Sequence, residues 1–324
     1  MAIPKTLLRI IVYAILAYAV ITVGVPAFKN RGGYNGFDLT KTDIPLAEIL
    51  HGGPARDGIP AIDEPHFLTA QKVDFLSSED RILGLEMGGE IKAYPIRILN
   101  WHEIVNDRVD GKSVLVSYCP LCGTGMAFTA ARAGLNKGFG VSGLLYNSDM
   151  LLYDRETESL WSQILGRAVS GPRRGESLKQ LPLEHTSWQD WLKRHPDTQV
   201  LSTRTGHFRD YTASPYAGYE QSEDLYFSVR NRDRRHHPKA RVIGLVIEGK
   251  SRVWPYKELA KSELPINEVL AGKSIRVHFD KRFGRAWITD ENGKDLPTTS
   301  GFWFAWMAFH PDSSVYSIET IPPK

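Results

Sequence analysis

The sequence predicts an α+β, β-rich fold: two copies of a related β-rich unit with short helices, preceded by an N-terminal apolar helix. The repeat is the first observation behind this. Arg81-Ile82-Leu83-Gly84-Leu85 returns as Arg241-Val242-Ile243-Gly244-Leu245 at an offset of 160 residues, and Tyr94-Pro95 returns as Trp254-Pro255. Gly111–Tyr118 is matched by Gly272–Phe279 after one inserted residue. Trp188-x-x-Trp191-x-x-x-His195-Pro196-Asp197 is matched by Trp303-x-x-Trp306-x-x-x-His310-Pro311-Asp312. Matching blocks in the same order mark a repeated supersecondary unit. The second observation is that β-branched runs are cut short by Gly and Pro pairs, the punctuation of strands and hairpins. The third is an uncharged apolar run from Ile10 to Ala27 behind Lys5 and Arg9.

That run reads as an uncleaved signal anchor or a signal peptide, with the anchor favoured because Pro26 and the length of the stretch argue for retention. The body is then expected on the extracytoplasmic face of the cell envelope, attached to the membrane through the N-terminal segment. The expected organisation is 1–28 as the anchor or signal and 29–72 as a loop-rich segment. It continues with 73–202 as a first repeat carrying the Cys-x-x-Cys motif and an insertion, 203–234 as a linker, and 235–318 as a second repeat without the motif.

Within the first repeat, Ile82–Met87 and Ile91–Tyr94 read as strands around a Gly88-Gly89 turn, a pair that accepts positive φ. Pro95 closes the second strand, and Ile96–Val105 reads as a short helix. After the Asp110-Gly111 turn, Val114–Tyr118 alternates and is β-branched, so it reads as a strand. Met126–Ala131 is the expected return strand. Trp188–Lys193 has helical spacing and stops before His195-Pro196.

Hydrophobic residues make up 42% of the chain and charged residues 24%, enough apolar content for a globular core. A net charge of +3 does not point to nucleic acid, and the basic run from Arg230 to Arg241 reads as a solvated loop. No phosphate-binding glycine loop, nucleophile elbow or zinc-protease helix motif is present.

The only two cysteines are Cys119 and Cys122, in Tyr118-Cys119-Pro120-Leu121-Cys122-Gly123-Thr124-Gly125. Proline fixes one turn angle and glycine accepts the unusual one, so both sulfurs can point to one spot in a knuckle. The following glycines make a helix start of the thioredoxin type unsuitable. Three readings stay open: a metal knuckle, a thiol–disulfide redox pair, or a bridge that staples a turn. A metal site needs a further ligand, and His102 is the candidate. The second repeat carries Ser262 at that position, and Asp280 and Phe283 at the cysteine positions. Two thiolates with an imidazole suit one copper or zinc ion; a bridged pair needs no cofactor. The insertion (about Asn136–His185) supplies ligand-recognising side chains. Asn147, Asp149, Asp154 and Arg155 are the expected substrate-binding residues, beside Cys119 and Cys122 as the catalytic pair.

These motifs carry a resemblance. Asn100–Asp107, Tyr118–Gly125, Gly140–Asp149, Tyr153–Thr157, Leu160–Gln163 and His195–Thr198 resemble the bacterial and archaeal family catalogued as domain of unknown function 3179. The resemblance covers most of the chain after about Gly52. It implies an exported, often membrane-attached protein and supplies no reaction. The expectation is therefore an extracytoplasmic metal-binding or thiol-redox protein with a small-molecule or redox partner. The alternative is a non-catalytic small-ligand-binding module whose cysteines form a structural disulfide.

Overall fold

Two short strands, β1 (Ile49–His51) and β2 (Phe67–Thr69), precede the first hairpin, β3 (Arg81–Met87) and β4 (Glu90–Pro95). Gly88 and Gly89 both have positive φ (61° and 85°), the backbone of the two-residue turn that follows the twist of its strands. The computed structural model in which this is seen describes residues 33–129 and 134–318. The apolar run of residues 10–27 lies outside the described residues, and no described helix is long and apolar enough to cross a membrane. The chain divides at Gly33, and the unit that begins at Tyr34 carries every element below.

Pro95 leads into α1 (Ile96–His102). This helix ends earlier than the expected Val105. Glu103 turns into positive φ (58°), and the β-branched Ile104 and Val105 enter β5 (Ile104–Val109) instead. Strands β6 (Lys112–Cys119) and β7 (Thr124–Thr129) complete an antiparallel meander, and the last two residues of the expected return strand lie outside the described residues. The insertion forms β8 (Phe139–Tyr146), β9 (Asp149–Asp154), β10 (Leu160–Ser162), β11 (Arg167–Ala168) and β12 (Lys179–Leu181). Then come β13 (Glu184–Ser187), α2 (Trp188–Arg194) and β14 (Gln199–Leu201).

The rear segment follows the same course. It runs through β15 (Arg241–Ile247), β16 (Lys250–Pro255) and α3 (Tyr256–Leu259). The meander β17 (Ile266–Leu270), β18 (Lys273–Asp280) and β19 (Arg285–Asp290) comes next. It closes with β20 (Thr299–Phe302), α4 (Trp303–Phe309) and β21 (Ser314–Val315).

The front sheet has the order β13-β3-β4-β14-β2, and the rear sheet contains the corresponding order β20-β15-β16-β21. The meanders are exchanged. The front meander β5-β6-β7 joins the rear sheet through β7 and β20, while β19 of the rear meander lies against β13 of the front sheet. A further sheet, β1-β8-β9-β10-β11, is built from the insertion and one N-terminal strand.

The Trp-His-Pro motifs have one job in both segments. Trp191 is fully buried over β3, its indole N–H donates to Thr198 (2.9 Å), and its ring lies 4.2 Å from that of His195. Trp306 does the same over β15, with Ser313 at 2.8 Å and His310 at 4.3 Å. Each indole presses on a strand glycine: a Cβ on Gly84 would meet Trp191 at 2.2 Å, and one on Gly244 would meet Trp306 at 2.2 Å. Buried indoles and close-packed strands cannot both yield, so overpacking follows. Gly84→Ala is expected to destabilise the fold by about 1–3 kcal/mol or more, read by denaturant titration, although Ala has the better intrinsic propensity in a strand.

Candidate metal centre

Two hairpin tips meet in the buried interior. The first is the β6–β7 turn. Cys119 ends β6, Thr124 begins β7 opposite it, and Gly123 takes φ 62° between them. A side chain at Gly123 would collide with the Phe302 ring, 2.8 Å from an added Cβ, so the knuckle requires glycine in both conformation and space. The second tip is the β8–β9 turn, where Asn147 and Ser148 both adopt positive φ (51° and 63°). Asn147 is a residue type that tolerates this region. Its Oδ1 accepts from the Arg230 backbone N–H (2.8 Å), and Ser148 donates its hydroxyl to the Phe227 carbonyl (2.7 Å).

The tips touch through sulfur. Cys122 Sγ lies 3.3 Å and Cys119 Sγ 3.8 Å from the Ser148 carbonyl oxygen. Both thiols are free, and they are only 2% and 0% exposed. Asp149, the first residue of β9, brings its carboxylate to the same place. Ligand atoms of Cys119, Cys122 and Asp149 all lie within 4.8 Å of one another. Asp149 Oδ2 accepts from the Ile164 N–H (3.0 Å), while its Oδ1 is buried with no hydrogen-bond partner among the described residues.

Burial dominates the electrostatics. It pushes the Asp149 carboxyl up to about 8, against the pull of the Ile164 and Met150 backbone N–H groups and of the Cys119 thiol. Glu103, buried at the end of α1, is likewise pushed up to about 8, first by burial and then by the charge of Asp149. The Cys122 thiol is raised well above its ordinary value by burial, with Cys119, Asp149 and Glu103 adding to it. The neighbouring charges that act on Cys122 and Glu103 are thus acidic.

The residues from Ser202 to Ala240 have no regular secondary structure, and part of this segment packs against the centre. Tyr219, Tyr216, Leu225, Phe227 and Val229 join the apolar cluster that contains both cysteines. Burial raises the hydroxyls of Tyr216 and Tyr219, and the Tyr219 oxygen has no partner among the described residues. A loop of this length inside a compact unit usually serves a site.

The placement corrects the ligand set expected from the sequence. His102 is absent from the cluster of donors. Its Nδ1 lies 2.8 Å from the Pro60 carbonyl and its Nε2 2.6 Å from the Tyr211 hydroxyl, so neither ring nitrogen is left for a metal. Burial pulls its pKa down to about 4, which keeps the ring neutral. Asp149, expected as a pocket residue, occupies the third position. Asp154 organises a turn: it accepts from the Thr157 N–H (2.6 Å) and hydroxyl and from the Trp161 indole (2.9 Å). Arg155 pairs with Asp63 at 2.7 Å. Asn147 supports the β8–β9 tip without belonging to the donor cluster. Glu103 and the two tyrosines were not anticipated. Their signals were a carboxylate directly behind an apolar helix, and the aromatic density of residues 211–227, Tyr211, Tyr216, Tyr219, Tyr226 and Phe227, in a stretch read as a linker.

The donor set is chemically coherent. Two thiols and a carboxylate can hold a borderline-soft divalent ion, and the orphaned Asp149 oxygen is the acceptor such an ion would satisfy. No curated protein and no solved structure matches this chain. The family model described as "Protein of unknown function (DUF3179)" matches residues 56–313, most of the chain, and the protein belongs to that family.

Proposed function

We propose that this is an extracytoplasmic metal protein that holds one zinc ion through Cys119, Cys122 and Asp149. The observation that carries it is the Asp149 Oδ1, buried, without a partner and grouped with two free thiols. A buried carboxylate with one oxygen left without a hydrogen bond is expensive unless a cation compensates it. A carboxylate in place of the imidazole favours zinc over copper(I), because a hard oxygen donor suits the borderline ion better. Three protein donors leave one position open, the arrangement of zinc sites that bind or activate a further molecule. Glu103 is a second buried carboxyl close enough for the charge of Asp149 to act on it. The chain's own residues would orient the bound group, and the Ser202–Ala240 segment would exclude water.

The redox alternative is supported less well. Exchange needs an accessible thiolate, whereas both sulfurs are buried and the Cys122 thiol is raised. The stapled-turn alternative needs a disulfide, and the cysteines are free. We further infer that the front and rear segments descend from one unit and that only the front one kept a metal knuckle. Residues 1–28 would attach the protein to the membrane.

Elemental analysis of protein purified without chelator tests the reading. About one zinc per chain is expected for the wild type and almost none for Cys119→Ser, with unchanged circular dichroism. Equal metal content in the two proteins would remove the proposal.

A further inference from the structure

A second site lies where the two segments meet. Arg81 and Arg241 hold the same place in the front and rear segments, one at the start of β3 and the other at the start of β15. Both line one pocket of about 160 Å³, together with His185, Thr186, Tyr256, Phe283 and Gly284. Gly284 belongs to the rear turn that stands in the place of the cysteine knuckle. The pocket is thus formed by matched elements of both segments.

Its charges are not balanced. Arg81 pairs with Glu220 through Nη1 (2.9 Å), but its Nη2 is buried without a partner. Arg241 makes no ion pair among the described residues, and its Nε is buried without a partner. Its one side-chain hydrogen-bond contact is Nη2 to His185 Nδ1 at 3.5 Å. His185 Nε2 lies 3.1 Å from the Gly125 nitrogen and 3.3 Å from the Gly125 carbonyl oxygen. With its proton on Nε2 the ring donates to that carbonyl and accepts from Arg241 at Nδ1, a long contact that leaves the guanidinium short of acceptors. Burial and the charges of Arg241 and Arg81 push His185 well below its ordinary value, which keeps it neutral.

A pair of like charges, partly buried and short of acceptors, is destabilising by itself. A small oxyanion would supply the missing acceptors to both guanidinium forks. We propose that this pocket binds the oxyanion group of a small molecule, a phosphate or a carboxylate, between Arg81 and Arg241. The site is independent of the metal reading, because none of its residues belongs to the donor cluster.

Calorimetric titration of the wild-type protein with inorganic phosphate, and separately with acetate, tests this at constant ionic strength set with sodium chloride. Saturable binding of one anion per chain is expected for at least one of them, and the better ligand identifies the head group. Arg241→Met should weaken that binding at least about tenfold, the loss of a bidentate charge-assisted contact. Without anion the variant should melt no lower than the wild type, since an unpaired buried cation has been replaced by an apolar chain of similar length. Absence of saturable binding of either anion up to about 10 mM, the weak end of specific association, would overturn the proposal. So would equal affinity in Arg241→Met. Should that variant fail to fold, the wild-type titration still decides, and Arg81→Met provides the second comparison.

Discussion

Asp149→Asn is expected to abolish metal binding and leave the fold intact, whereas His102→Phe is expected to keep the metal and lose stability. The two substitutions separate the proposed ligand set, drawn from the donor cluster in the structure, from the one the sequence suggested. In Asp149→Asn the amide oxygen can still accept from the Ile164 N–H, so the hydrogen bond at 3.0 Å survives. What disappears is the anionic oxygen grouped with the two sulfurs. Loss of a direct ligand should exceed the tenfold to hundredfold effect of losing a group that merely supports one, roughly a hundredfold or more in affinity. The metal-free variant should be at least as stable as the metal-free wild type, because a buried carboxyl without a full set of partners has been replaced by a neutral amide. His102→Phe removes the partner of the Pro60 carbonyl and of the Tyr211 hydroxyl. Tyr211 keeps its contact with the Thr205 hydroxyl (2.6 Å), so one acceptor is stranded and about 1–3 kcal/mol should be lost. Elemental analysis and denaturant titration of both variants check the pair. Metal retained in Asp149→Asn but lost in His102→Phe would return the imidazole to the site and displace Asp149 from it.

The sequence showed most clearly what is decided locally. Gly88-Gly89 makes its turn because glycine meets no penalty at positive φ, and the knuckle closes at Gly123 for the same reason. Pro95 and the spacing of Trp188–Lys193 placed both front helices to within a few residues. The matched Trp-His-Pro motifs turned out to be matched packing devices, each indole lying over the glycine of its own strand. What could not be read was decided by docking. The β8–β9 tip reaches the cysteines only because Asn147 and Ser148 are fastened to Arg230 and Phe227, about eighty residues further along. Nothing local at Asp149 announces that contact. His102 misled for a related reason. It lies near the knuckle in sequence and is polar in apolar surroundings, but its ring is held by Pro60 and Tyr211, two distant loop residues. The choice between a ligand and a hydrogen-bonded core histidine depends on loops that carry no periodicity. The segment 203–234 shows the same limit. Its composition reads as a connection, yet its tyrosines form the cover of the site.

Stability of the metal-free protein is expected to peak near pH 6.5 and to fall steeply towards pH 8, and zinc is expected to suppress the fall. Asp149 and Glu103 have ordinary values of 3.8 and 4.5 and are both raised to about 8 in the fold. Between those limits the folded protein keeps two protons that the unfolded chain has released. The contribution of each carboxyl is therefore complete below its ordinary value, declines through the interval, and has been lost once pH passes about 8. The slope is about 1.4 kcal/mol per pH unit for each carboxyl, so the two together amount to several kcal/mol between pH 6.5 and 8. The buried histidines act in the opposite sense at lower pH. His102 and His310 are lowered to about 4 and His185 falls well below 6.5, so they favour the fold increasingly up to 6.5 and add no slope above it. The two groups of residues meet near pH 6.5, which places the maximum there. Zinc reverses the upper limb because it favours the ionised ligands: its uptake should release protons, and its affinity should rise with pH. Urea titrations at pH 5, 6.5 and 8, with chelator and with zinc, resolve both limbs. A chelated protein as stable at pH 8 as at pH 6.5 would mean that the carboxyls are already ionised beside some cation of the protein itself. The buried acidic cluster would then have no need of a metal.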